Sequence, residues 1–247
     1  MWGPQLISKS IQYDDLTTGK IPALIIPKII SKENCAVISK KILNTSMNNE
    51  TSKFGTSLSS HIYEKQKYFL NVQISNEFLK KLFLGNSSPL IIMHQKISEL
   101  FKKQLSTAIE NNMSYSDAVI RIHNSNDSVH LHRDNSNFEM SEYNVSHLEN
   151  QLSAILYLQS PINGGELTIF QKMWNRKDEH MREPEFGYSS ELVKNIFKTK
   201  ILPIEGNMII FNPKFYHQIE SIVGTKSRIT LGFFFGEMSK NHLYSWA

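Results

Sequence analysis

The stretch "VHLHRD" (129–134) crowds two histidines, an arginine and an aspartate into six positions. Side chains on a strand alternate between its two faces, so His130, His132 and Asp134 would share one side and Arg133 would turn to the other. Imidazole nitrogen and carboxylate oxygen are both metal ligands, but a metal site needs further ligands from elsewhere in the chain. "FYHQIE" (215–220) supplies His217 at the start of a strand-like segment. Eleven residues later, Arg228 heads the otherwise apolar "RITLGFF". A guanidinium entering an apolar interior needs a planar anion, and a carboxylate fits it with two parallel hydrogen bonds.

These residues support more than one ligand set. His132, Asp134 and His217 form a 2-His-1-carboxylate triad, which takes one face of an iron(II) ion and leaves the opposite face open for a bidentate 2-oxo acid and for O2. A rival set uses His130 and His132 as an HxH pair with a following glutamate. Glu139 is the available one, but the intervening "NSNFE" does not continue the strand. If the triad is correct, His130 is a same-face neighbour that could line the pocket. A metal-free reading also exists, with "HRD" as a solvated strand end and Arg228 as a surface arginine.

The elements that must hold these residues change character along the chain. Up to about Tyr115 the pattern is mainly helical. "SKENCAVISKKILN" (31–44) opens on Ser31 as an N-cap. "NEFLKKLF" (76–83) reads as a short helix. The segment 88–112 reads as one long helix starting at Ser88 and Pro89, with Ile92, Ile97, Leu100, Phe101, Leu105 and Ile109 as a core stripe. Beyond Tyr115 the chain is strand-like at 117–123, 128–134, 151–159, 165–170, 207–213 and 227–236, with "INGG" (162–165) as a turn. Short strands without intervening long helices indicate an antiparallel sandwich or barrel. The charged segment 171–200 reads as a long insertion, and Trp174, Phe186 and Tyr188 make it a candidate lid over a substrate.

Composition narrows the function classes. The chain has 247 residues, a formal net charge of +4 and one cysteine, Cys35. One cysteine excludes an internal disulfide framework and a thiolate metal cluster. The lysines are dispersed, as on solvated helix faces, and form no nucleic-acid footprint. No apolar run reaches the roughly 18 residues of a membrane span, and the opening residues lack a signal-peptide pattern. The expectation is a cytoplasmic protein with a small-molecule substrate and no nucleic-acid or membrane partner. The oligomeric state is left open.

Between residues 118 and 237 the chain resembles the iron(II)/2-oxoglutarate-dependent oxygenase superfamily. The resemblance rests on "HRD", then "LSAILYLQSPINGGELTIF", then "PIEGNMIIFNPKFYHQIESIVGTKSRITLGFF". It implies an α+β protein with a double-stranded β-helix (jelly-roll) core at 117–237 and a helical layer at 1–116, forming one domain over 1–247. It implies iron at His132, Asp134 and His217, with Arg228 on the far (C5) carboxylate of 2-oxoglutarate and Thr230 adding a hydroxyl. More narrowly, "FGTSLSSHIY" (54–63), "AVIRIH" (118–123), "GGEL" leading to "MWN" (173–175) and "RITLGFFF" (228–235) are similar to the freestanding small-molecule hydroxylases and halogenases, the hapalindole-type alkaloid halogenases among them. In that branch an arginine similar to Arg121 precedes the first ligand. This implies a cofactor-binding role for Arg121, with a structural ion pair as the alternative. The halogenases leave the carboxylate position small, usually Gly, so that chloride can bind the iron. Here Asp134 fills that position, which turns the expectation toward hydroxylation.

The expected activity is therefore hydroxylation of a C–H bond in an amino acid or natural-product intermediate, coupled to conversion of 2-oxoglutarate and O2 into succinate and CO2. A prolyl-type protein or peptide hydroxylase and a non-catalytic jelly-roll binding module are the alternatives.

Overall fold

Strand alternation sorts the apolar and polar residues of the β region onto opposite faces. In the computed structural model, which describes residues 2–7, 12–49, 51–84, 88–239 and 241–247, that sorting builds two sheets around a cavity. The major sheet has nine strands. Its main path runs Gln5–Leu6, Ala23–Ile26, Met208–Phe211, Glu149–Gln159, Arg228–Ser239, His242–Trp246 and Gln104–Thr107, while Val119–His123 pairs with both the Arg228 strand and Lys53–Phe54. The minor sheet runs Lys198–Ile201, Leu167–Met173, Phe215–Ile219 and Val129–His132, all antiparallel. From Val119 onward the chain passes back and forth between the sheets, the pattern expected of a jelly roll.

One face of the major sheet is the core. Ile120 and Ile122, Leu152 through Leu158 at alternate positions, Met208 and Ile210, and Ile229, Leu231, Phe233 and Phe235 belong to the largest buried cluster. Cys35, Ile38 and Ile42 from helix Lys32–Asn49, Leu79 and Leu82 from helix Lys65–Leu82, and Met93, Ile97 and Phe101 from helix Pro89–Phe101 complete it. The opposite parity, with Arg121, Ser153, Ile155, Phe211, Arg228, Thr230 and Gly232, faces the cavity.

Ser31 caps its helix as its sequence position predicts, with its Oγ accepting the Asn34 N–H at 3.2 Å. Other expectations need correction. The helix predicted for 76–83 is the last part of an 18-residue helix that starts at Lys65. The helix predicted for 88–112 ends at Phe101, where Lys102 enters the left-handed region at φ 54°. Gln104–Thr107 instead pairs in parallel with His242–Trp246. Leu105 is thus buried from a strand, and Ile109 is 66% exposed. Pairing with a strand remote in sequence has overridden the local helical period. The insertion 171–200 also contracts, because strands claim both of its ends. Residues 174–197 contain two short 3-10 helices and pack Trp174, Tyr188, Leu192, Val193 and Ile196 on Leu131, Phe170 and Tyr216, on the outer side of the minor sheet. Most of the segment is a covering layer, and little of it lies over the cavity.

The turn between Glu149–Gln159 and Leu167–Met173 depends on Gly164. Its φ is +74°, and a Cβ there would lie 1.9 Å from the Ser221 carbonyl oxygen. Gly164→Ala is expected to cost at least about 1–2 kcal/mol in urea unfolding, from the left-handed conformation alone. Gly3→Ala, whose Cβ would meet nothing within 4 Å, should leave the unfolding midpoint unchanged.

Candidate metal centre and its cavity

The minor sheet makes the centre by pairing its two edge-side strands. His217 lies directly opposite His132, while Ile219 lies opposite Val129. Two steps on one strand therefore match three on the other, which is a β-bulge. The bulge resets the alternation. Val129 and His132 both reach the cavity, Leu131 is buried in the outer cluster, and His130 is exposed. His130 lines a groove on the outside with Glu183, Pro184 and Glu185. The same-face position expected for His130 is corrected by this extra residue.

The two imidazoles are 4.1 Å apart between ring centroids. His132 Nδ1 donates to the His130 carbonyl at 2.7 Å, and His217 Nδ1 donates to the Phe215 carbonyl at 2.8 Å. A carbonyl can only accept, so each ring is held as the tautomer whose Nε2 lone pair is free for a ligand bond. Asp134 follows the strand and is anchored by its backbone N–H on the Pro213 carbonyl at 2.9 Å. Its Oδ2 lies 3.4 Å from His217 Nε2. One ligand atom from each of His132, Asp134 and His217 lies within 4.8 Å of the others.

Protonation suits a divalent cation. Burial lowers the His132 pKa to about 4, helped by His217 and opposed by Asp134 and the His130 carbonyl. Burial alone would raise the Asp134 carboxyl, but the adjoining His217 and His132 rings and the Arg121 guanidinium outweigh it and hold the group at about 2. Neutral imidazoles and an ionised carboxylate are the forms that bind metal. The donor set is nitrogen and oxygen only, and Cys35 is buried in the core. These residues fit iron(II).

Deeper in the cavity, Arg228 is 2% exposed. Its Nε donates to the Gly165 carbonyl at 3.1 Å, and its guanidinium lies 5.1 Å from the Tyr157 ring centroid. His123, kept neutral by a pKa of about 4 through burial and the neighbouring arginines, faces the guanidinium at 3.5 Å. The Tyr157 hydroxyl is buried without a hydrogen-bond partner among the described residues. Thr230 lines the same wall. A buried guanidinium with spare donors beside an orphaned hydroxyl fits the carboxylate of 2-oxoglutarate. Arg121 also lines the cavity, with its side chain exposed to that space.

The cavity measures about 310 Å³. Phe186 borders it, with its ring 5.3 Å from His132. Gly187, at φ +87°, lets the chain pass the Leu131 carbonyl, to which the Tyr188 N–H donates at 2.8 Å. Trp174 and Tyr188 are placed elsewhere. Both donate to Glu179 at 2.6 Å and surround Arg133 on the outer face of the minor sheet. Glu139 pairs with Arg133 at 2.8 Å, which removes the carboxylate of the HxH reading. Ser57 and Ser59, in the 54–63 motif, line the cavity as well. That motif had no assigned role, since nothing in its local pattern indicates which strand edge its loop would cover.

The sequence pattern that defines the carrier-protein-independent halogenase WelO5 matches residues 6–247. The chain belongs to that family. It is an iron(II)- and 2-oxoglutarate-dependent oxygenase, and the non-catalytic reading is set aside. The chain is 26% identical over 182 residues, 70% of its length and 73% of the relative's, to leucinostatins biosynthesis cluster protein S of Purpureocillium lilacinum. It is also 26% identical over 126 residues, 49% of this chain and 46% of the other, to the L-gamma-glutamyl-L-propargylglycine hydroxylase of Streptantibioticus cattleyicolor. Among solved structures, an N-substituted L-amino acid dioxygenase from Burkholderia ambifaria shares the fold, with a TM-score of 0.68 at 15% identity, covering 95% of this chain and 90% of that one. No helix among the described residues is long and apolar enough to cross a membrane.

Three half-buried histidines, His94, His123 and His132, have pKa values near 4 in the folded protein against an ordinary 6.5. As pH falls from 6.5 toward 4, the unfolded chain takes up protons that the folded one refuses, so stability must fall across that window. Urea unfolding of the metal-free protein should show a midpoint that declines over this range. His94→Gln, remote from the ligands and set edge-on to Phe233 at 4.9 Å between ring centroids, should flatten the decline. A midpoint independent of pH would contradict the burial of these rings.

Proposed function

We propose that this oxygenase hydroxylates an unactivated C–H bond of a small molecule, an amino acid or natural-product intermediate, with release of succinate and CO2. Asp134 carries this reading. It occupies the third ligand position as an ionised carboxylate beside His217 Nε2, the position that the resembling halogenases leave small for chloride. The hydroxylase name of the Streptantibioticus cattleyicolor relative and the amino acid dioxygenase name of the Burkholderia ambifaria structure support a small substrate of this kind.

Bound iron(II), with 2-oxoglutarate and O2, supplies the oxidising chemistry. The protein supplies position and enclosure. His132, Asp134 and His217 hold one face of the metal. Arg228 grips the far end of the cosubstrate, with the Tyr157 and Thr230 hydroxyls beside it, and so fixes the direction in which the 2-oxo end points. Phe186, Val129 and Ile219 form the wall shared by the cavity and the outer groove and limit access of bulk water. Chain 1–247 acts as one domain in this reading, the helices serving as the layer that stiffens the major sheet.

Two experiments test it. The products of 2-oxoglutarate turnover in chloride buffer should show gain of one oxygen atom. Replacement of hydrogen by chlorine, or loss of two hydrogens, would overturn hydroxylation. Arg228→Ala should raise the 2-oxoglutarate KM roughly ten- to a hundredfold, the worth of a hydrogen bond to a charged group, with iron content unchanged. An unaltered KM would remove Arg228 from the cosubstrate site.

A further inference from the structure

The cavity is small for what it must hold. Its volume of about 310 Å³ lies at the lower end of the roughly 300–1,000 Å³ of a site for one small ligand. Iron(II) and 2-oxoglutarate take part of that space before any primary substrate enters. The remainder of a substrate needs room elsewhere, and the outer groove adjoins. The groove measures about 740 Å³. Phe186, Val129 and Ile219 line both spaces, so a single layer of side chains divides them.

Val129 and Ile219 belong to that layer as opposed residues of two paired strands. Phe186 comes instead from the tip of a loop that is tied at its neck. Arg182 and Tyr188 pair as strand residues do, the Ser189 N–H donates to the Met181 carbonyl at 2.9 Å, and the Glu183 N–H donates to the Gly187 carbonyl at 3.0 Å. The Tyr188 N–H on the Leu131 carbonyl fixes this neck to the minor sheet. The Phe186 ring is thereby held beside His132 while 52% exposed. A ring so placed offers apolar surface to any chain that crosses from one space to the other.

The two spaces differ in chemistry. Leu167, Phe211 and Phe233 supply apolar wall in the cavity. The groove is lined by Ser128, His130, Glu183, Glu185, Gln218 and Glu220, and by no lysine or arginine. Lys200 meets Glu220 at 3.0 Å, while Glu183 and Glu185 are exposed. Such a lining repels an anion and attracts a cation.

We propose that Phe186 is a specificity-determining residue at the junction of a two-part substrate site. The reacting end of the substrate lies at the metal centre, its chain crosses the Phe186 ring, and its far end sits in the groove. The substrate class is an elongated molecule with an apolar reacting end and a cationic far end. This rests on metal and 2-oxoglutarate occupying the cavity, as in the proposed function, and names the kind of molecule that shares it with them.

The test uses the whole protein loaded with nickel(II) and 2-oxoglutarate. It is titrated calorimetrically with straight-chain alkyltrimethylammonium ions of four to eight chain carbons, whose nitrogen has no lone pair for the metal, and with the matching carboxylic acids. Affinity for the cations is expected to rise about three- to fourfold per methylene, the worth of burying one CH2, and to exceed that of the acids about tenfold. Phe186→Ala should reduce the gain per methylene. Glu183→Gln with Glu185→Gln should remove the preference for cations and keep the length dependence. No binding across the panel, affinity independent of length, acids bound as tightly as cations, or a length dependence untouched in Phe186→Ala would overturn the proposal. A cation preference that survives the paired glutamine substitutions would overturn it too. Failure of the unaltered protein to bind nickel(II) and 2-oxoglutarate would instead overturn the reading on which it rests.

Discussion

The candidate metal centre depends on the pairing of Phe215–Ile219 with Val129–His132, in a register that sets His217 opposite His132. Side chains on paired strands change face with every residue, so a slip of one position would turn one imidazole out of the cavity. The register is reinforced from within the rings, because each Nδ1 donates to a carbonyl two residues back in its own strand. The backbone that sets the spacing thus also sets the tautomer. Asp134 depends on the same framework, being tied to Pro213 in the turn that leads into the His217 strand. No helix contributes a ligand.

Around this centre the cavity sets two guanidiniums, Arg121 and Arg228, into the same lining as Asp134. The major sheet does this with single residues set into apolar strands. Arg121 stands between Ile120 and Ile122, and Arg228 precedes Ile229. The isoleucines turn to the helical side and lock the strands into the core, leaving each arginine no alternative but the cavity. Core packing therefore fixes the electrostatics. The helices matter to the chemistry because they make the opposite choice of face prohibitively costly.

Much of this was legible in the sequence, and the failures have particular causes. The convergence of His132, Asp134, His217 and Arg228 on one cavity could be anticipated because their types are chemically marked and their strands are short and apolar. The turn of Arg133 to the outer face followed from simple alternation. His130 failed the same rule because a bulge inserts one residue, and no local pattern announced it. Trp174 and Tyr188 were placed by proximity in sequence to Phe186, yet they serve the outer layer. Which of three aromatic residues on one loop reaches a cavity depends on the left-handed turn at Gly187 and on bonds to Glu179. The strand at Gln104–Thr107 was hidden because its partner lies at His242–Trp246, and helical periodicity carries no information about so remote a contact.

The outer layer has its own bearing on the metal. Arg133 is the immediate neighbour of Asp134, and an unpaired guanidinium there would compete with iron for that carboxylate. Alternation sends Arg133 to the opposite face, but a buried cation stays there only if its charge is met. Glu139 and Glu179 meet it at 2.8 Å and 3.2 Å, and the rings of Trp174, Phe138 and Tyr188 surround it. Glu179 also accepts from Trp174 and Tyr188, so the counter-ion of Arg133 is the same group that fastens the 174–197 segment to the sheet. The segment read from sequence as a lid therefore acts from behind the centre. By satisfying Arg133 on one face of the strand, it leaves the Asp134 carboxylate free beside His217 on the other.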